Sequence, residues 1–193
     1  MRESLKTIAR GAAWIAIVPS LASFAVRSSI LGRDRALEGS TQFLSLIPGI
    51  LGQYLRQAFL SHALAACAPS ATVSFGTIFS KSGARLDDRV YVGPFCSLGL
   101  VHIEQDVLIG SGVQITSGAE THGTADPMRP IREQEGRAVL VRIGRGSWIG
   151  SGAIVMADVG SNSVVGAGAV VTKPVPDAVI AAGVPATVIR SRA

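Results

Sequence analysis

From Ile143 to Val171, small aliphatic residues return every six positions and glycine often follows them. The run reads Ile143-Gly144-Arg145-Gly146-Ser147-Trp148, then Ile149-Gly150-Ser151-Gly152-Ala153-Ile154, then Val155. It slips by four and resumes as Val159-Gly160-Ser161-Asn162-Ser163-Val164, then Val165-Gly166-Ala167-Gly168-Ala169-Val170, then Val171. A period of six fits neither a helix, at about 3.6 residues per turn, nor a strand, which alternates about every two. A fixed short repeat marks a solenoid, and hexapeptides mark a parallel β-helix. Each flat face of the coil takes one hexad, the aliphatic residue points inward, and a small residue turns the corner. The phase also runs earlier, through Leu86, Val92 and Leu98, and after a one-residue deletion through Ile103, Ile109 and Ile115. A mainly β fold is therefore expected, with the coil over roughly residues 70–173. Residues 118–140 carry no hexads and must leave the stack as a loop, the kind of segment that often holds function.

The rest of the chain is arranged around that coil. At 193 residues with 22 glycines and 48% hydrophobic residues, the composition suits a core of stacked small aliphatics. We divide it into an apolar helical segment, 1–66, and the coil with its loop and tail, 67–193. The two cysteines, Cys67 and Cys96, build no disulfide framework and point to a reducing cytoplasm. Cys96 falls inside a hexad and reads as a small buried filler. No Cys/His cluster has zinc-ligand spacing, so no metal is expected.

The N-terminal segment holds two uncharged runs, Gly11 to Val26 and Gly39 to Leu55, each with a proline near its middle and each shorter than a span of about 20 residues. Three readings fit it. One is a secretory signal, with Arg2, Lys6 and Arg10 before an apolar run and Ser23-Phe24-Ala25 at a cleavage position. The second is a pair of helices lying in a membrane interface. The third is a helical cap closing the coil. Seven cations (Arg2, Lys6, Arg10, Arg27, Arg33, Arg35, Arg56) face three acids (Glu3, Asp34, Glu38) there, a surplus of four within the net charge of +5. With only 5% aromatic residues and no binding motif, a nucleic-acid partner is not expected.

Two stretches carry chemistry. The loop contains Glu120-Thr121-His122-Gly123, and His122 is one of three histidines, placed where the chain leaves the coil. A neutral imidazole there can take a proton from an alcohol or an amine near pH 7. Glycine and alanine at the corners of Val165–Val171 are expected to leave backbone N–H groups open to a long, thin ligand. Lys173 and Arg190 place cations near the end of that track, suited to phosphates.

These motifs resemble the hexapeptide-repeat acyltransferases, the left-handed parallel β-helix family. The likeness is greatest to the branch of galactoside and maltose acetyltransferases and the O-acetyltransferases of surface-polysaccharide synthesis. It covers roughly Ser70 to Arg190 and rests on Thr121-His122, Ser147-Trp148-Ile149-Gly150, Val165-Gly166-Ala167-Gly168, Val171-Thr172-Lys173 and Ala182-Gly183-Val184-Pro185-Ala186. The resemblance implies a homotrimer with sites between neighbouring coils, acetyl-CoA or another acyl-CoA as donor, and His122 as the catalytic base. It puts Gly150, Ser151, Ala167 and Gly168 along the pantetheine arm, Thr172, Lys173 and Arg190 near the phosphates, and Trp148 beside the thioester. The implied activity is O-acetylation of a sugar hydroxyl by direct transfer, in the cytoplasm or at the inner membrane face.

One departure bears on the acceptor. The asparagine that binds it in the sugar acetyltransferases has no counterpart within Gly93–Ser97, and the N-terminus is more apolar than theirs. Arg129, Arg132 and Arg137 on the loop suggest an anionic sugar or a lipid-linked saccharide instead. N-acetylation of an amino sugar nucleotide and a non-catalytic scaffold are the competing readings. A carbonic anhydrase of this fold would need His62, His102 and His122 on one metal, although His62 lies outside the repeat.

Overall fold

Strands of two or three residues stack in parallel into three sheets, the three faces of a prism. The computed structural model describes residues 2–192, with side chains from Ala9 onward; the side chains of Arg2, Glu3 and Lys6 thus lie outside the described residues. The first face holds Ala66–Cys67, Arg85–Leu86, Val101–Ile103 and Val141–Ile143, and single bridges extend it through Val159 to Val175. The second holds Thr72–Val73, Tyr91–Val92, Leu108–Ile109, Trp148–Ile149, Val164–Val165 and Val179–Gly183, with Ala186–Ser191 folded back antiparallel on the last of these. The third holds Ile78–Phe79, Ser97–Leu98, Gln114–Ile115, Ile154–Val155 and Val170–Val171. This parallel solenoid fits the left-handed form that the resemblance implies.

The hexad residues form the core. Leu86, Val92, Leu98, Ile103, Ile109, Ile115, Ile143, Ile149, Val155, Val159, Val165 and Val171 are all buried, each contributing about 1.5–3 kcal/mol relative to exposure. A second buried position, two residues before the inward one, includes Thr77, Ser147 and Ser163. Each of these hydroxyls donates to a carbonyl and accepts an N–H at a corner: Ser147 bonds Gly160 O at 2.7 Å and Ser163 N at 3.0 Å, and Ser163 bonds Pro176 O at 2.7 Å and Val179 N at 3.2 Å. These core hydroxyls are thus paired, as burial demands.

The coil runs further than the hexads suggest, from Ala66 to Ser191. Its first turn uses Cys67, Val73 and Phe79 inward, which break the aliphatic pattern. From first face to second and from second to third, the inward residues are always six apart, as in Ile103, Ile109 and Ile115. Only the step from third face to first varies: seven from Phe79 to Leu86, five from Leu98 to Ile103, twenty-eight from Ile115 to Ile143, and four from Val155 to Val159.

Three helices close the lower end: α1 (Arg2–Leu31), α2 (Arg33–Ser45) and α3 (Gly49–Ala63). Gly32, at φ +85°, separates α1 from α2, and Pro48 stands directly before α3. Leu37, Leu44, Phe59 and Leu60 join Val73 and Phe79 in one continuous core. Arg56 is 3% exposed and seals the junction. Its Nε donates to Val73 O at 3.0 Å, and its Nη1 to Leu44 O at 3.0 Å and Ile47 O at 2.8 Å. Thr41 adds a bond from Phe79 N at 3.2 Å. Helices α2 and α3 thus make the contacts that a cap requires. The outward side of α1 is different: Ile15, Val18, Val26 and Ile30 are exposed, and Ala9–Leu31 is long and apolar enough to cross a membrane.

Candidate active site

The corner between the second and third faces is a regular column. Its turns are the pairs Phe75-Gly76, Pro94-Phe95, Ser111-Gly112, Ser151-Gly152 and Ala167-Gly168, and the second residue of each has a positive φ. Hydrogen bonds knit the column vertically: Phe95 N to Phe75 O at 3.0 Å, Gly112 N to Pro94 O at 2.8 Å, Gly152 N to Ser111 O at 2.8 Å, and Gly168 N to Ser151 O at 2.9 Å. The expectation that glycine amides are open here needs correction. Gly168 N–H is spent on this ladder and Gly150 N–H on Val165 O at 2.8 Å. Of the first residues in these pairs, Phe75, Ser111, Ser151 and Ala167 have unbonded amides and Pro94 has none to offer, so the open amides on successive turns are those of Ser111, Ser151 and Ala167. Glycine in the coil below leaves space beside two of them, since a Cβ on Gly110 would stand 2.7 Å from Ser151 N and one on Gly150 2.5 Å from Ala167 N. Orphan donors beside bare glycine backbone suit an elongated ligand that carries carbonyl acceptors.

His122 lies elsewhere, on the loop that leaves the edge between the third face and the first. Two stretches of this loop run against each other, with Arg137 N bonded to Glu120 O at 2.6 Å and Val139 N to Ser117 O at 2.8 Å. They touch so closely that a Cβ on Gly136 would stand 2.2 Å from Thr121 O and 2.6 Å from His122 Cα, and one on Gly123 2.6 Å from Glu135 O. Gln134 ties the tip, accepting from Asp126 N at 3.0 Å and donating to Asp126 O at 2.7 Å. The exposed imidazole, which makes no hydrogen bond among the described residues, opens onto a groove lined by Ser80, Lys81, Gly99, Thr116 and Ser117. The sequence singled out His122 but not Gly123, Gln134 and Gly136, which hold it; the two glycines bracketing the loop were the available signal.

The remaining expected site residues are dispersed. Trp148 is 52% exposed and stands in an outward row on the second face with Thr72, Tyr91, Leu108, Val164 and Ile180. Thr172 and Lys173 follow the third-face strand Val170–Val171, on the same edge as His122 but higher up the coil. Arg190 is exposed on the terminal hairpin and donates to Ser191 O at 3.2 Å. The structure therefore brings Gly150, Ser151, Ala167 and Gly168 together in one column, while His122 belongs to another edge of the prism. Of the loop cations, Arg129 is committed to Glu133 O at 2.7 Å, and Arg132 lies 3.8 Å from Glu133. Cys96 is buried as expected, with its thiol 3.2 Å from Gly110 O, and burial pushes the Cys67 thiol up to about 12, so neither is an available thiolate. No cluster among the described residues has the composition to hold a metal.

The fold is shared with known proteins. Residues 140–173 match the family model described as the hexapeptide repeat of succinyl-transferase. Galactoside acetyltransferase, solved with coenzyme A, is 24% identical over 83% of this chain and 81% of its own, with a TM-score of 0.63. A hexapeptide-repeat-containing acetyltransferase from Vibrio cholerae is 21% identical over 83% of this chain and 93% of its own, at 0.62. AntD, an N-acyltransferase from Bacillus cereus solved as a mutant with dTDP and coenzyme A, is 16% identical over 64% of this chain and 71% of its own, at 0.55. No curated protein matches the sequence. The chain shares with these proteins the parallel β-helix fold wound from hexapeptide repeats, and two of the three structures were solved with coenzyme A.

Proposed function

We propose that the protein is an acyl-CoA-dependent acyltransferase that O-acetylates a sugar hydroxyl of a surface-polysaccharide precursor. The observation that carries this is the column of unbonded amides at Ser111, Ser151 and Ala167. Bound there, acetyl-CoA supplies an activated thioester. Ser151 and Ala167 donate to its pantetheine amides, Gly150 and Gly168 keep the track bare, and Thr172, Lys173 and Arg190 meet its phosphates. His122 accepts the proton of the acceptor hydroxyl as that oxygen attacks the thioester carbonyl; the C–S bond then breaks, the acetyl group stays on the sugar oxygen, and coenzyme A leaves as its thiol with the proton returned by His122. An amine acceptor would use the same base, and the N-acyltransferase AntD shares the coil, so N-acylation of an amino sugar is the second reading. Replacing Lys173 by Ala is expected to weaken acetyl-CoA binding about three- to tenfold, as loss of one partly solvated phosphate contact does. Calorimetry on the wild type and the variant measures this. Absence of acetyl-CoA binding by the folded wild type would overturn the reading.

The site is complete only in an assembly, because His122 and the donor column occupy different edges of one prism. The outward row on the second face offers the means. Tyr91, Leu108, Trp148, Val164 and Ile180 form an apolar stripe parallel to the coil axis, which is covered along its length when coils stand side by side. We assign it to a homotrimer, and Trp148 then packs between subunits near the donor. Leu108→Asp is expected to shift the protein to monomers in sedimentation and to abolish turnover. A trimer of unchanged mass would place the interface elsewhere. The donor is a cytoplasmic metabolite, so the protein acts in the cytoplasm. The exposed face of α1, flanked by Arg10 and Arg27, then rests against the inner membrane, where a lipid-linked saccharide would be presented.

A further inference from the structure

One turn of the donor column breaks its own rule. Gly76, Gly112, Gly152 and Gly168 take the positive-φ position at φ +68° to +74°, whereas the second turn has Phe95 there at φ +59°. A bulky residue in that region is strained by roughly 1–2 kcal/mol. The corner between the first and second faces also admits residues other than glycine, among them Arg89 and Asp106, but those two repay the strain by a two-point ion pair at 2.6 and 2.7 Å. Phe95 makes no such bond, and its ring is 64% exposed. The ring is nevertheless held in place. It stands edge-to-face with Phe75 at 5.5 Å, and it lies so close over Gly76 that a Cβ there would be 2.5 Å from its Cδ1. A strained, exposed and buttressed aromatic ring below three turns built only from Gly, Ser and Ala marks a contact surface.

Its height along the coil says what the contact is. The continuous run of open amides covers the third, fourth and fifth turns (Ser111, Ser151, Ala167) and ends at Pro94, which has no N–H, so the column below it, at Phe95 and Phe75, lies beyond the donor's reacting end. The groove beside His122 is lined from the first three turns, by Ser80, Gly99 and Thr116. If coils pack side by side along the apolar stripe, a symmetry axis parallel to the coil keeps heights equal, so a neighbour's His122 stands level with Phe95. We propose that Phe95, buttressed by Phe75, is the platform on which the acceptor sugar stacks the apolar face of its ring. It is thereby a specificity-determining residue for the acceptor. The inference rests on the transferase reading and extends it to the acceptor.

The test uses the full-length protein, acetyl-CoA and a panel of p-nitrophenyl hexopyranosides, with released coenzyme A thiol as the readout. Phe95→Gly suits the backbone of this corner, and Phe95→Asn is a second variant that tolerates positive φ. Both are expected to raise the acceptor KM about tenfold or more, the worth of one buried aromatic face. The acetyl-CoA dissociation constant and the sedimentation coefficient stay as in the wild type, and Phe95→Tyr restores the acceptor KM. In saturation-transfer NMR, the wild type passes magnetisation to the sugar ring protons and Phe95→Gly does not. An unchanged acceptor KM, a change of assembly state in Phe95→Gly, or no glycoside of the panel receiving saturation overturns the platform. Loss of acetyl-CoA binding in the wild type itself condemns the transferase reading, an outcome visible before any acceptor is added.

Discussion

Replacing His122 by Ala is expected to lower turnover by about 10²- to 10⁴-fold while leaving acetyl-CoA affinity within about twofold of the wild type. The reason for the split is spatial. His122 lies on the loop at the edge between the third and first faces, and the amides assigned to the donor lie on a different corner. Truncating the imidazole removes a proton acceptor without touching that column. The loop survives the change, because its closure depends on backbone contacts at Gly123 and Gly136 and on Gln134, not on the imidazole. Single-turnover kinetics paired with calorimetry decide the matter. Unimpaired turnover would remove His122 from the mechanism, and joint loss of binding and turnover would place it in the donor site instead.

The largest effect on stability is expected at Arg56. Two consequences of replacing it by Met oppose one another. The substitution removes a buried cation whose Nη2 has no partner and whose burial holds its pKa below the usual guanidinium range, which favours the variant. It also strips donors from the carbonyls of Val73, Leu44 and Ile47, where the helices close the coil. Leu44 O keeps a bond from Ile47 N at 3.3 Å, but Val73 O and Ile47 O are left unpaired at about 1–3 kcal/mol each, and these losses outweigh the one relief. A net destabilisation of about 2–4 kcal/mol should lower Tm by roughly 5–15 °C in a chain of this size, measured by circular dichroism. An unaltered Tm would mean that α2 and α3 do not seal the solenoid.

The coil itself was legible because a period of six has one structural meaning, and each aliphatic residue singled out by phase is an inward one. Even the irregular steps, the deletion before Ile103 and the slip before Val159, could be read directly. The first turn was less visible, since Cys67 and Phe79 do not repeat the aliphatic signature. Nothing in the repeat marked Ser147 and Ser163 as core residues, yet they are buried, because their hydroxyls pair with carbonyls that only the next coil supplies. The same blindness applied to the site. Sequence spacing cannot say which amides a ladder between coils consumes, so the glycines drew attention while Ser111 went unnoticed. Phe95 looked like an ordinary hexad residue until its backbone angle and exposure were known. The second apolar run, Gly39 to Leu55, straddles the end of α2 and the start of α3, and what distinguishes these helices from α1, which holds the first run, is that they bond to the coil.

The uneven spacing of the coil divides the molecule into a conserved gauge and a free margin. Two of the three steps never depart from six residues, so the corner that carries Ser111, Ser151 and Ala167 repeats at constant pitch, like a rule against which one kind of elongated ligand can be laid. Every surplus or missing residue is absorbed at the remaining edge, where the step ranges from four to twenty-eight and where His122 emerges. Inserting or shortening chain there leaves every inward side chain in register. Such a scaffold can exchange the loops that choose its acceptor while the amide column assigned to the donor's arm stays fixed, and the third-to-first edge below Thr172 and Lys173 is where new specificities would be grafted.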